Sequence, residues 1–545
     1  MRSRIGAVAS LGIAAMLLGL VLVLPNRPSA MGWDAFARLP LELPALLGLL
    51  IVAGARPGAA RLVRGVFALI LMAILLLKVA DYTLFEAFSR SFNPVTDVFV
   101  FSAGANLLLG SLGPVLGVGA LAGIVLANLL AAAGLFWALR RWSRPGTGPA
   151  IRAGAGSVAI VFAALTALDA SHRLNSSAVS MDPPGTANTT IFAMRHAERA
   201  RGAARDLAAY RIAAETDPFA AAPGLFGRLE KRDVIVVFIE SYGRSSFDSP
   251  FYAETHLPTL RAAEEELAEE GLGTRSLWLT SPIAGGQSWL AHGTFASGLR
   301  TADQARYGAM LASPRRTLYH LAQNAGYRTA AVVPAITLPW PEGPLLGFET
   351  ILAAADLDYA GDPFNWVTMP DQYTLSAYPD LLGDDPRPDF LEIALISSHA
   401  PWVPIPPLID WDAIGDGSVF NRWANSGDPP RVVWKDRDRV RLQYRLAVDY
   451  SLQTVLSFAA RQAGPDGPLI IVLGDHQPAP WVAQIESRDV PIHLIGPPEV
   501  LALFDDWYAR PGLVPDVDTP VWPMEAFRDR FLEAVSGPAA EGEAS

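Results

Sequence analysis

The first 170 residues contain five long apolar runs separated by short polar segments. The first run has twenty residues without a charge, which is enough to cross a bilayer as an α-helix. The second run is weaker because Glu42 interrupts it. A cleaved signal peptide is an alternative for the first run, but the later runs favour a multi-pass membrane domain over residues 1–170. We predict transmembrane helices at residues 5–24, 39–55, 65–80, 113–139 and 153–168.

Basic residues predict the orientation of these helices. They cluster before the first helix, between the second and third, and between the fourth and fifth, and segments of this kind stay in the cytoplasm. Five crossings from a cytoplasmic N-terminus place everything after about residue 170 outside the cytoplasm. Richness in Ala, Gly, Pro and Arg is typical of a bacterial source, so we predict a multi-pass protein of the bacterial cytoplasmic (inner) membrane with a periplasmic or extracellular domain. The clustered arginines are Arg2, Arg4, Arg56, Arg61, Arg64, Arg140, Arg141, Arg144 and Arg152.

Two further stretches of the first half are less regular. Residues 85–113 join the third and fourth predicted helices and are apolar, but Arg90 and the Asn93-Pro94 pair break them. They predict amphipathic helices on the outer membrane surface, with an ordinary long loop as the alternative. Residues 171–228 are polar and rich in Ala and Arg, which predicts a juxtamembrane connector with one or two helices.

From residue 229 short apolar runs alternate with helical stretches, as in an α/β fold. The runs are continuously apolar, which indicates a mostly parallel central sheet with helices on both faces. We place this domain at residues 229–535 and a tail at 536–545. The predicted strands are residues 233–241, 275–282, 326–334, 389–402, 467–476 and 490–497. The predicted helices between them are residues 257–271, 313–326 and 440–464.

Composition excludes several classes of function. The net charge is -11 and no basic tract stands out, so we expect no nucleic-acid partner. The 545 residues include no Cys, which excludes disulfide bonds, cysteine nucleophiles and thiolate metal ligands. Any metal site must therefore use oxygen and nitrogen ligands.

Carboxylate and imidazole groups follow three of the predicted strands. The first strand ends in Glu240, the fourth leads to His399, and the fifth leads to Asp475 and His476. Ligands of open α/β sheets bind beyond the carboxyl ends of the strands, so we expect these side chains at one edge. A turn cap or an ordinary loop histidine explains each residue taken alone. Together they supply the oxygen and nitrogen donors that suit Mn, Zn or Mg.

A hydroxyl group at the start of a predicted helix is the candidate nucleophile. Gly285 and Gly286 form a turn that leads into Ser288, and the helix that follows stops near Gly298. Backbone N–H groups and the helix dipole favour phosphate at such a position, and a metal beside the hydroxyl would activate it. A simple helix N-cap is the alternative for Ser288. The competing hydroxyls, which lack this setting, are Thr280, Ser281 and Thr294.

These motifs resemble the sulfatase-like branch of the alkaline phosphatase superfamily. That branch has an acidic ligand after the first strand, a nucleophile that opens a helix ending in a small-residue-Gly pair, and a late strand ending in Asp-His. Here these are Glu240, Ser288 with "FASG" downstream, and "LGDH". The stretch "SSHAPW" is similar to a histidine-containing stretch of the family. Five membrane helices before such a domain look like lipoteichoic acid synthases and related phosphoglycerol and phosphoethanolamine transferases.

The resemblance implies a role for each candidate residue. One divalent ion, Mn or Zn with Mg also compatible, would bind to Glu240, Ser288, Asp475 and His476. Ser288 would be the catalytic nucleophile, and His399 would contact the substrate or transfer a proton. Trp340 and His292 are further candidate substrate contacts, and His292 is the alternative to His399 for proton transfer.

Departures from the family pattern bear on the reaction. Sulfatases have Pro and Arg two and four residues after the nucleophile, where this chain has Leu290 and His292, so a formylglycine sulfatase is disfavoured. Phosphoethanolamine transferases of this architecture usually contain disulfides, so the lack of Cys favours phosphoglycerol transfer. The stretch "LPWPEG" has Trp340 where the synthases have a Trp, but Glu342 where an Arg is expected.

The resemblance thus implies metal-dependent transfer of a phosphoglycerol-type head group from a phospholipid donor to an extracytoplasmic glycan or lipid acceptor through a covalent Ser288 intermediate. The alternatives are phosphoethanolamine transfer, or hydrolysis of phosphate or sulfate esters at the same site. An inactive receptor and a transporter that uses Lys78 and Asp81 agree less well with the sequence. Outside the site we predict His493 as a sheet residue, Asp371 as a helix N-cap and Asp449 as a packing or orienting residue.

Overall fold

The computed structural model describes residues 2–88, 90–144, 147–175, 185–365, 368–516 and 518–537. The chain divides into two compact units, Met1–Asp206 and Leu207–Ser545. Residues 176–184 of the predicted connector and 538–545 of the predicted tail lie outside the described residues.

The first unit is helical. Four of its described helices are long and apolar enough to cross a membrane, over Ile5–Val23, Pro57–Glu86, Leu112–Trp142 and Pro149–Leu174. These four overlap the first, third, fourth and fifth predicted spans. The helices are α1 (Arg2–Val23), α2 (Trp33–Ala37), α3 (Glu42–Ala53), α4 (Pro57–Phe88), α5 (Phe99–Trp142), α6 (Pro149–Asn175) and α7 (Asn188–Ala214), and α7 continues past the unit boundary.

The second predicted membrane helix is shorter in the structure. The helix expected over residues 39–55 is α3, whose 12 residues are about 18 Å long at 1.5 Å per residue. The hydrocarbon core of a bilayer is about 30 Å thick. The helix starts late because Leu39 and Leu41 form backbone hydrogen bonds of 3.1 Å with Thr186, which hold this stretch in a β-bridge. The described residues thus form four helices of spanning length where the sequence predicts five.

The segment predicted to lie on the outer membrane surface is partly helical. α4 extends to Phe88, a loop follows, and α5 begins at Phe99. α5 is broken at Gly113, which has a φ of 75° and precedes Pro114, so residues 99–112 form a separate helical piece. The position of this piece on the membrane surface stays a prediction.

The second unit is an α/β structure with a central sheet. The described strands are β1 (Val234–Ile239), β2 (Gly273–Thr280), β3 (Arg328–Val333), β4 (Thr350–Ala353), β5 (Asp389–Ala394), β6 (Leu469–Gly474), β7 (Asp489–Gly496), β8 (Arg510–Pro511) and β9 (Val521–Pro523). Their order is β4-β3-β5-β1-β6-β7-β2-β8, and β9 pairs with β2. β4, β3, β5, β1 and β6 are parallel, and β7 runs antiparallel to both β6 and β2, so β2 has the direction of β1. This confirms the predicted mostly parallel sheet and all six predicted strands.

Helices connect these strands. They are α8 (Ser245–Asp248), α9 (Pro250–Glu269), α10 (Ser288–Ser297), α11 (Gln304–Leu311), α12 (Leu318–Asn324), α13 (Asp371–Leu382), α14 (Asn421–Ala424), α15 (Pro430–Val433), α16 (Arg437–Arg461), α17 (Pro480–Ala483), α18 (Pro498–Leu501) and α19 (Phe527–Val535). The helix predicted over residues 313–326 is shorter, because the Thr317 side chain accepts the N–H of His320 and caps α12 there.

β1 shows why the strand sequences are apolar throughout. Ile235 and Val237 belong to a core that includes residues of α9 and α16. Val234 and Val236 belong to a second core that includes residues of α10, α12 and α19. Both faces of the strand are therefore buried, and a polar side chain at any position along it would be removed from water.

Candidate active site

The carboxyl ends of β1 and β6 bring two acidic residues together. The strands are parallel neighbours, and their last residues, Ile239 and Gly474, are in register. Glu240 and Asp475 follow directly, so they leave the sheet at the same edge. A Cβ atom on Gly474 would lie 1.7 Å from the carbonyl oxygen of Tyr242, so only glycine permits this close approach of the two chains.

The glycine turn after β2 delivers Ser288 to the same edge. The N–H of Gly285 donates to the carbonyl of Gln477 at 2.8 Å, which joins this turn to the segment after β6. Gln287 has a φ of 70° and is the N-cap residue of α10, and Ser288 is the first residue of that helix. Ser288 therefore opens the helix, as predicted, without being its N-cap.

The Ser288 hydroxyl is held by groups from both strand ends. Its Oγ donates to Oε2 of Glu240 at 2.8 Å and lies 3.3 Å from Nε2 of His476. The competing hydroxyls bond elsewhere: Thr280 to Asp489, Ser281 to the carbonyl of Asp475, and Thr294 to the carbonyl of Leu290. Of the predicted candidates, Ser288 is the hydroxyl placed against the acidic and imidazole groups.

Glu240, Asp475 and His476 have the geometry of a metal-binding cluster. Each offers one ligand atom, and these atoms lie within 4.8 Å of one another. Oδ1 of Asp475 accepts N–H bonds from Ser241 and His476 at 2.7 Å, whereas its buried Oδ2 has no hydrogen-bond partner among the described residues. Nδ1 of His476 pairs at 2.8 Å with the carbonyl of Gln477, which leaves the Nε2 lone pair for a ligand.

The electrostatics of the cluster favour a bound cation. Burial alone would raise the pKa of Glu240, but the imidazoles of His476 and His399, with neighbouring hydrogen bonds, lower it to about 2. Burial and the Glu240 carboxylate raise the pKa of Asp475 to about 6. A cation stabilises both carboxylates in their charged forms. Together with the unpaired Oδ2, these properties fit a divalent metal ion bound through oxygen and nitrogen.

His399 lies on the loop after β5, which ends at Ala394 rather than at the predicted residue 402. Its Nδ1 pairs with the carbonyl of Ala400 at 2.6 Å, and this pairing leaves Nε2 available. The side chain is half-buried and lines a cavity next to Ser288. The structure therefore brings His399 to the site that the sequence predicts for it.

The prediction that Asp371 is a helix N-cap is wrong. Pro370 occupies that position and Asp371 is the first residue of α13. The Asp371 carboxylate instead accepts the N–H groups of Ile396 and Ser397, both at 2.8 Å, and the Ser451 hydroxyl at 2.6 Å. A buried carboxylate needs several donors, and the loop after β5 supplies two of them. Asp371 therefore fixes the loop that leads to His399.

The cavity beside Ser288 has a volume of about 330 Å³. Both predicted substrate contacts, Trp340 and His292, line it, as do three of the four candidate metal ligands. Within the described part of the chain, no Lys or Arg lines it. Its remaining wall is mostly apolar and aromatic and includes Trp289, Tyr307, Val333, Ile336 and Leu346.

A buried carboxylate that the sequence reasoning missed, Glu392 on β5, holds His292. Nδ1 of His292 lies 2.8 Å from Oε1 of Glu392, and the Tyr319 hydroxyl donates to Oε2. The His292 ring also stacks on Phe238 at 3.9 Å between ring centroids. Burial disfavours a charge on His292, but the Glu392 carboxylate outweighs it and raises the pKa of His292 above its ordinary value. In the sequence, the acidic residue inside the apolar run "DFLEIA" was the sign that this strand carries a buried carboxylate.

Two further predicted residues lie away from the cavity lining. His493 is fully buried on β7, with Nε2 at 3.1 Å from the Tyr242 hydroxyl and Nδ1 at 2.7 Å from the Ser276 hydroxyl. Asp449 on α16 accepts a hydrogen bond of 2.6 Å from Thr259 on α9. His493 is thus a sheet residue and Asp449 links two helices, as the sequence predicts.

Residues 232–486 match the sulfatase family model. This match bears out the predicted resemblance to the sulfatase-like branch and the prediction that the protein is an enzyme. Proteins of the sulfatase family depend on a metal ion, which agrees with the acidic and histidine cluster. No curated protein matches the chain.

Several solved structures are similar to this chain at low sequence identity. The lipoteichoic acid synthase LtaP from Listeria monocytogenes is 11% identical, with a TM-score of 0.38, and the match covers 62% of this chain and 78% of that one. The Streptococcus pyogenes phosphoglycerol transferase GacH, in complex with sn-glycerol-1-phosphate, is 13% identical, with a TM-score of 0.37 and coverages of 61% and 80%. The C-terminal periplasmic domain of the phosphoethanolamine transferase EptC from Campylobacter jejuni is 10% identical, with a TM-score of 0.36 and coverages of 56% and 88%.

Proposed function

We propose that this protein transfers a phosphoglycerol-type head group from a phospholipid to an extracytoplasmic glycan or lipid acceptor. One observation carries the proposal: the Ser288 hydroxyl opens a helix and lies 2.8 Å from Glu240, inside a cluster of metal-ligand type. The apolar helices of spanning length support a substrate that resides in the membrane. The sulfatase-family domain supports chemistry on a phosphoester.

The residues of the cluster would hold one divalent ion, which we propose to be Mn or Zn, with Mg also compatible. The ligands would be Glu240, Ser288, Asp475 and His476. When bound, the ion lowers the pKa of the serine hydroxyl and neutralises phosphate charge. The N-terminus of α10 adds backbone N–H groups and the positive end of a helix dipole, which favour a phosphate at Ser288.

The chain's own residues then perform a double displacement. Oγ of Ser288 attacks the phosphorus and forms a P–O bond, while its proton leaves along the hydrogen bond to Glu240. The bond between phosphorus and the diacylglycerol oxygen breaks, and His399 donates a proton to that oxygen. The acceptor hydroxyl next gives its proton to His399 and attacks the phosphorus. This second attack breaks the bond to Ser288, whose oxygen recovers a proton.

The cavity lining supports a head group that carries hydroxyl groups. Nε2 of His399, the hydroxyl of Tyr307 and the indole N–H of Trp340 are hydrogen-bonding groups of residues that line it. Phosphoethanolamine transfer is the second candidate, favoured by one observation: Glu392 lines the cavity, and no Lys or Arg of the described residues does. A negatively charged and aromatic lining suits an ammonium group. Hydrolysis would be the same reaction with water as the acceptor.

The first unit supports an orientation with the sulfatase-family domain outside the cytoplasm. We infer that α3 crosses the membrane although it is short. Its first residue, Glu42, bonds to the first turn of α7, which also bonds to Leu22 near the end of α1. At the other end, a Cβ atom on Gly54 would lie 3.1 Å from the carbonyl of Ser143, just after α5. The start of α3 thus lies near the end of α1, and its end lies near the end of α5. Local thinning of the bilayer accommodates a helix of this length.

The reaction is tested with the full-length protein in lipid nanodiscs. Phosphatidylglycerol or phosphatidylethanolamine with a labelled diacylglycerol part is supplied with Mn, with Zn or with a chelator. We expect metal-dependent release of diacylglycerol and a head-group phosphate adduct on a peptide that contains Ser288, with phosphatidylglycerol preferred. Absence of both products with either lipid would contradict the transferase proposal. Release from phosphatidylethanolamine alone would establish the second candidate.

A further inference from the structure

A second cavity, of about 340 Å³, lies within the helical first unit. The end of α1, the segment after it, the last turns of α4 and the first turns of α7 line this cavity. Three exposed arginines, Arg27, Arg195 and Arg199, contribute to the lining. Among the described residues, none of the three forms an ion pair, and no carboxylate lines the cavity. These guanidinium groups are therefore available to an anion from outside the chain.

A buried lysine adds positive charge at the back of this cavity. Lys78 lines the cavity and is only 3% exposed. Its ammonium donates to the carbonyls of Val21 and Leu22 at 2.9 Å and to the Thr189 hydroxyl at 3.0 Å. These partners are neutral, so they fix the ammonium in place without cancelling its charge.

The buried carboxylate of this region, Asp81, is engaged elsewhere. It accepts the Asn26 side-chain amide at 2.6 Å and the N–H of Phe92 at 2.8 Å, and His196 lies 3.1 Å away. Asp81 does not line the cavity. Three protein groups therefore contact this carboxylate. It does not pair with the arginines of the cavity, which can still bind an anion.

An apolar groove of about 670 Å³ adjoins the charged cavity. Leu22 lines both, and the first turn of α7 borders both, through Asn188 and Ile191 on the cavity side and Thr189 on the groove side. The rest of the groove lies between α3, α4, α6 and α7 and is mostly apolar, and its one charged residue is Glu42, whose carboxylate accepts the N–H of Thr190. A charged cavity next to an apolar groove matches the polarity of one phospholipid molecule.

We propose that this cavity and groove form a binding site for an anionic glycerophospholipid. The phosphate would lie among Arg27, Arg195 and Arg199 at the N-terminus of α7, and an acyl chain would occupy the groove. The apolar groove favours a lipid over free phosphate, because phosphate alone would leave that surface uncovered. The site uses no residue of the Ser288 cluster, so it does not depend on the proposed transfer reaction.

The test measures lipids retained by the full-length protein after release from nanodiscs, with native mass spectrometry as the readout. The nanodiscs contain equal amounts of phosphatidylglycerol and phosphatidylcholine. The test variant is Arg195→Gln/Arg199→Gln, and the matched control is Arg201→Gln/Arg205→Gln, which removes two exposed charges from the same helix outside the cavity. A second variant, Ala163→Trp, fills the groove. Melting temperatures establish that each variant is folded.

We expect the wild type and the control to retain phosphatidylglycerol in preference to phosphatidylcholine. The test variant should lose about 30-fold in retention, because it removes two basic groups that each attract anionic lipid near a membrane surface. Ala163→Trp should retain less of both lipids. Equal retention by the test variant and the control, or no preference for the anionic lipid, would overturn the proposal. Displacement of the lipid by millimolar inorganic phosphate would also overturn it, because phosphate alone would then be the ligand.

The transferase proposal and the lipid-site proposal can be tested independently of each other. Ser288→Ala should retain phosphatidylglycerol as the wild type does. Retention without any turnover would contradict the transferase proposal alone. Turnover with unchanged retention in Arg195→Gln/Arg199→Gln would contradict the lipid site alone.

Discussion

The hydroxyl of Ser288 donates a hydrogen bond of 2.8 Å to the carboxylate of Glu240, although 48 residues separate them in the chain. β1 delivers the carboxylate, and the turn after β2 delivers the hydroxyl. The same hydroxyl lies 3.3 Å from Nε2 of His476. The candidate nucleophile and the candidate metal ligands thus form one hydrogen-bonded unit, and the first two predictions below test parts of it.

Removal of the Ser288 hydroxyl should abolish the reaction. We expect Ser288→Ala to reduce head-group transfer by at least ~10³-fold, because loss of a catalytic nucleophile leaves only binding and electrostatic contributions. Ser288→Thr, which keeps a hydroxyl, should retain measurable transfer. The measurement is diacylglycerol release from labelled phosphatidylglycerol. Full turnover by Ser288→Ala would show that another group is the nucleophile.

Asp475→Asn should weaken metal binding while the fold is preserved. The amide oxygen can still accept the N–H groups of Ser241 and His476, but the amide nitrogen would replace the unpaired Oδ2. We expect an affinity loss for Mn or Zn of at least the ~10–100-fold that loss of an outer partner costs. Titration calorimetry measures it, with Asp449→Asn on α16 as the control for a distant buried carboxylate. Equal affinities in the two variants would exclude Asp475 as a ligand.

Glu392→Gln should reduce kcat more than it changes KM. The carboxylate orients His292 through a hydrogen bond of 2.8 Å, so its loss should misplace an imidazole that is an alternative to His399 for proton transfer. We expect kcat to fall by about 10–100-fold. Tyr319→Phe, which removes one donor to Glu392, should have a smaller effect in the same direction. An unchanged kcat with a raised KM would assign Glu392 to substrate binding instead.

His493 should make the fold less stable in acid. Burial lowers the pKa of His493 to about 3, whereas an unfolded histidine titrates near 6.5. Between these values the unfolded chain binds a proton that the folded chain does not. The stabilisation is therefore fully present above pH 6.5 and falls by about 1.4 kcal/mol for each pH unit below it. Thermal melts of the full-length protein in detergent between pH 4.5 and 7.5 measure this dependence.

His493→Gln is the comparison for that measurement. It should be less stable than the wild type at pH 7.5, because the hydrogen bonds with Tyr242 and Ser276 change. Its melting temperature should fall less steeply toward low pH, although His256, whose pKa burial lowers to about 4, keeps part of the slope. Parallel slopes in the two proteins would contradict the assignment to His493.

The chain contains no Cys, so single cysteines can report its orientation in the membrane without background. We expect Trp33→Cys and Tyr508→Cys, at positions that are 91% and 80% exposed, to react with an impermeant maleimide in spheroplasts. Gly148→Cys, between α5 and α6, should react only after permeabilisation. Labelling of Gly148→Cys and Tyr508→Cys from the same side would show an even number of crossings between them. It would contradict the prediction that α6 crosses the membrane.

Features that depend on local pattern could be predicted from the amino-acid sequence. Unbroken apolar runs indicate membrane helices or strands buried on both faces, and all six predicted strands are present. The residue types at the strand ends pointed to Glu240, His399, Asp475 and His476, because the carboxyl ends of parallel strands share one edge. Ser288 was also predicted from a local pattern, because the Gly285-Gly286 turn directly precedes the start of a helix.

Contacts between groups that are distant in the chain could not be predicted in this way. Glu392 contacts His292 from 100 residues away because β5 pairs with β1, and strand order is not encoded in any local pattern. Asp371 binds the loop before His399 rather than capping its own helix, since that buried loop offers it two backbone donors. The length of α3 was decided in the same way, by backbone hydrogen bonds to Thr186 that compete with the helix. In each case, the physical reason is a partner that only folding brings within hydrogen-bond distance.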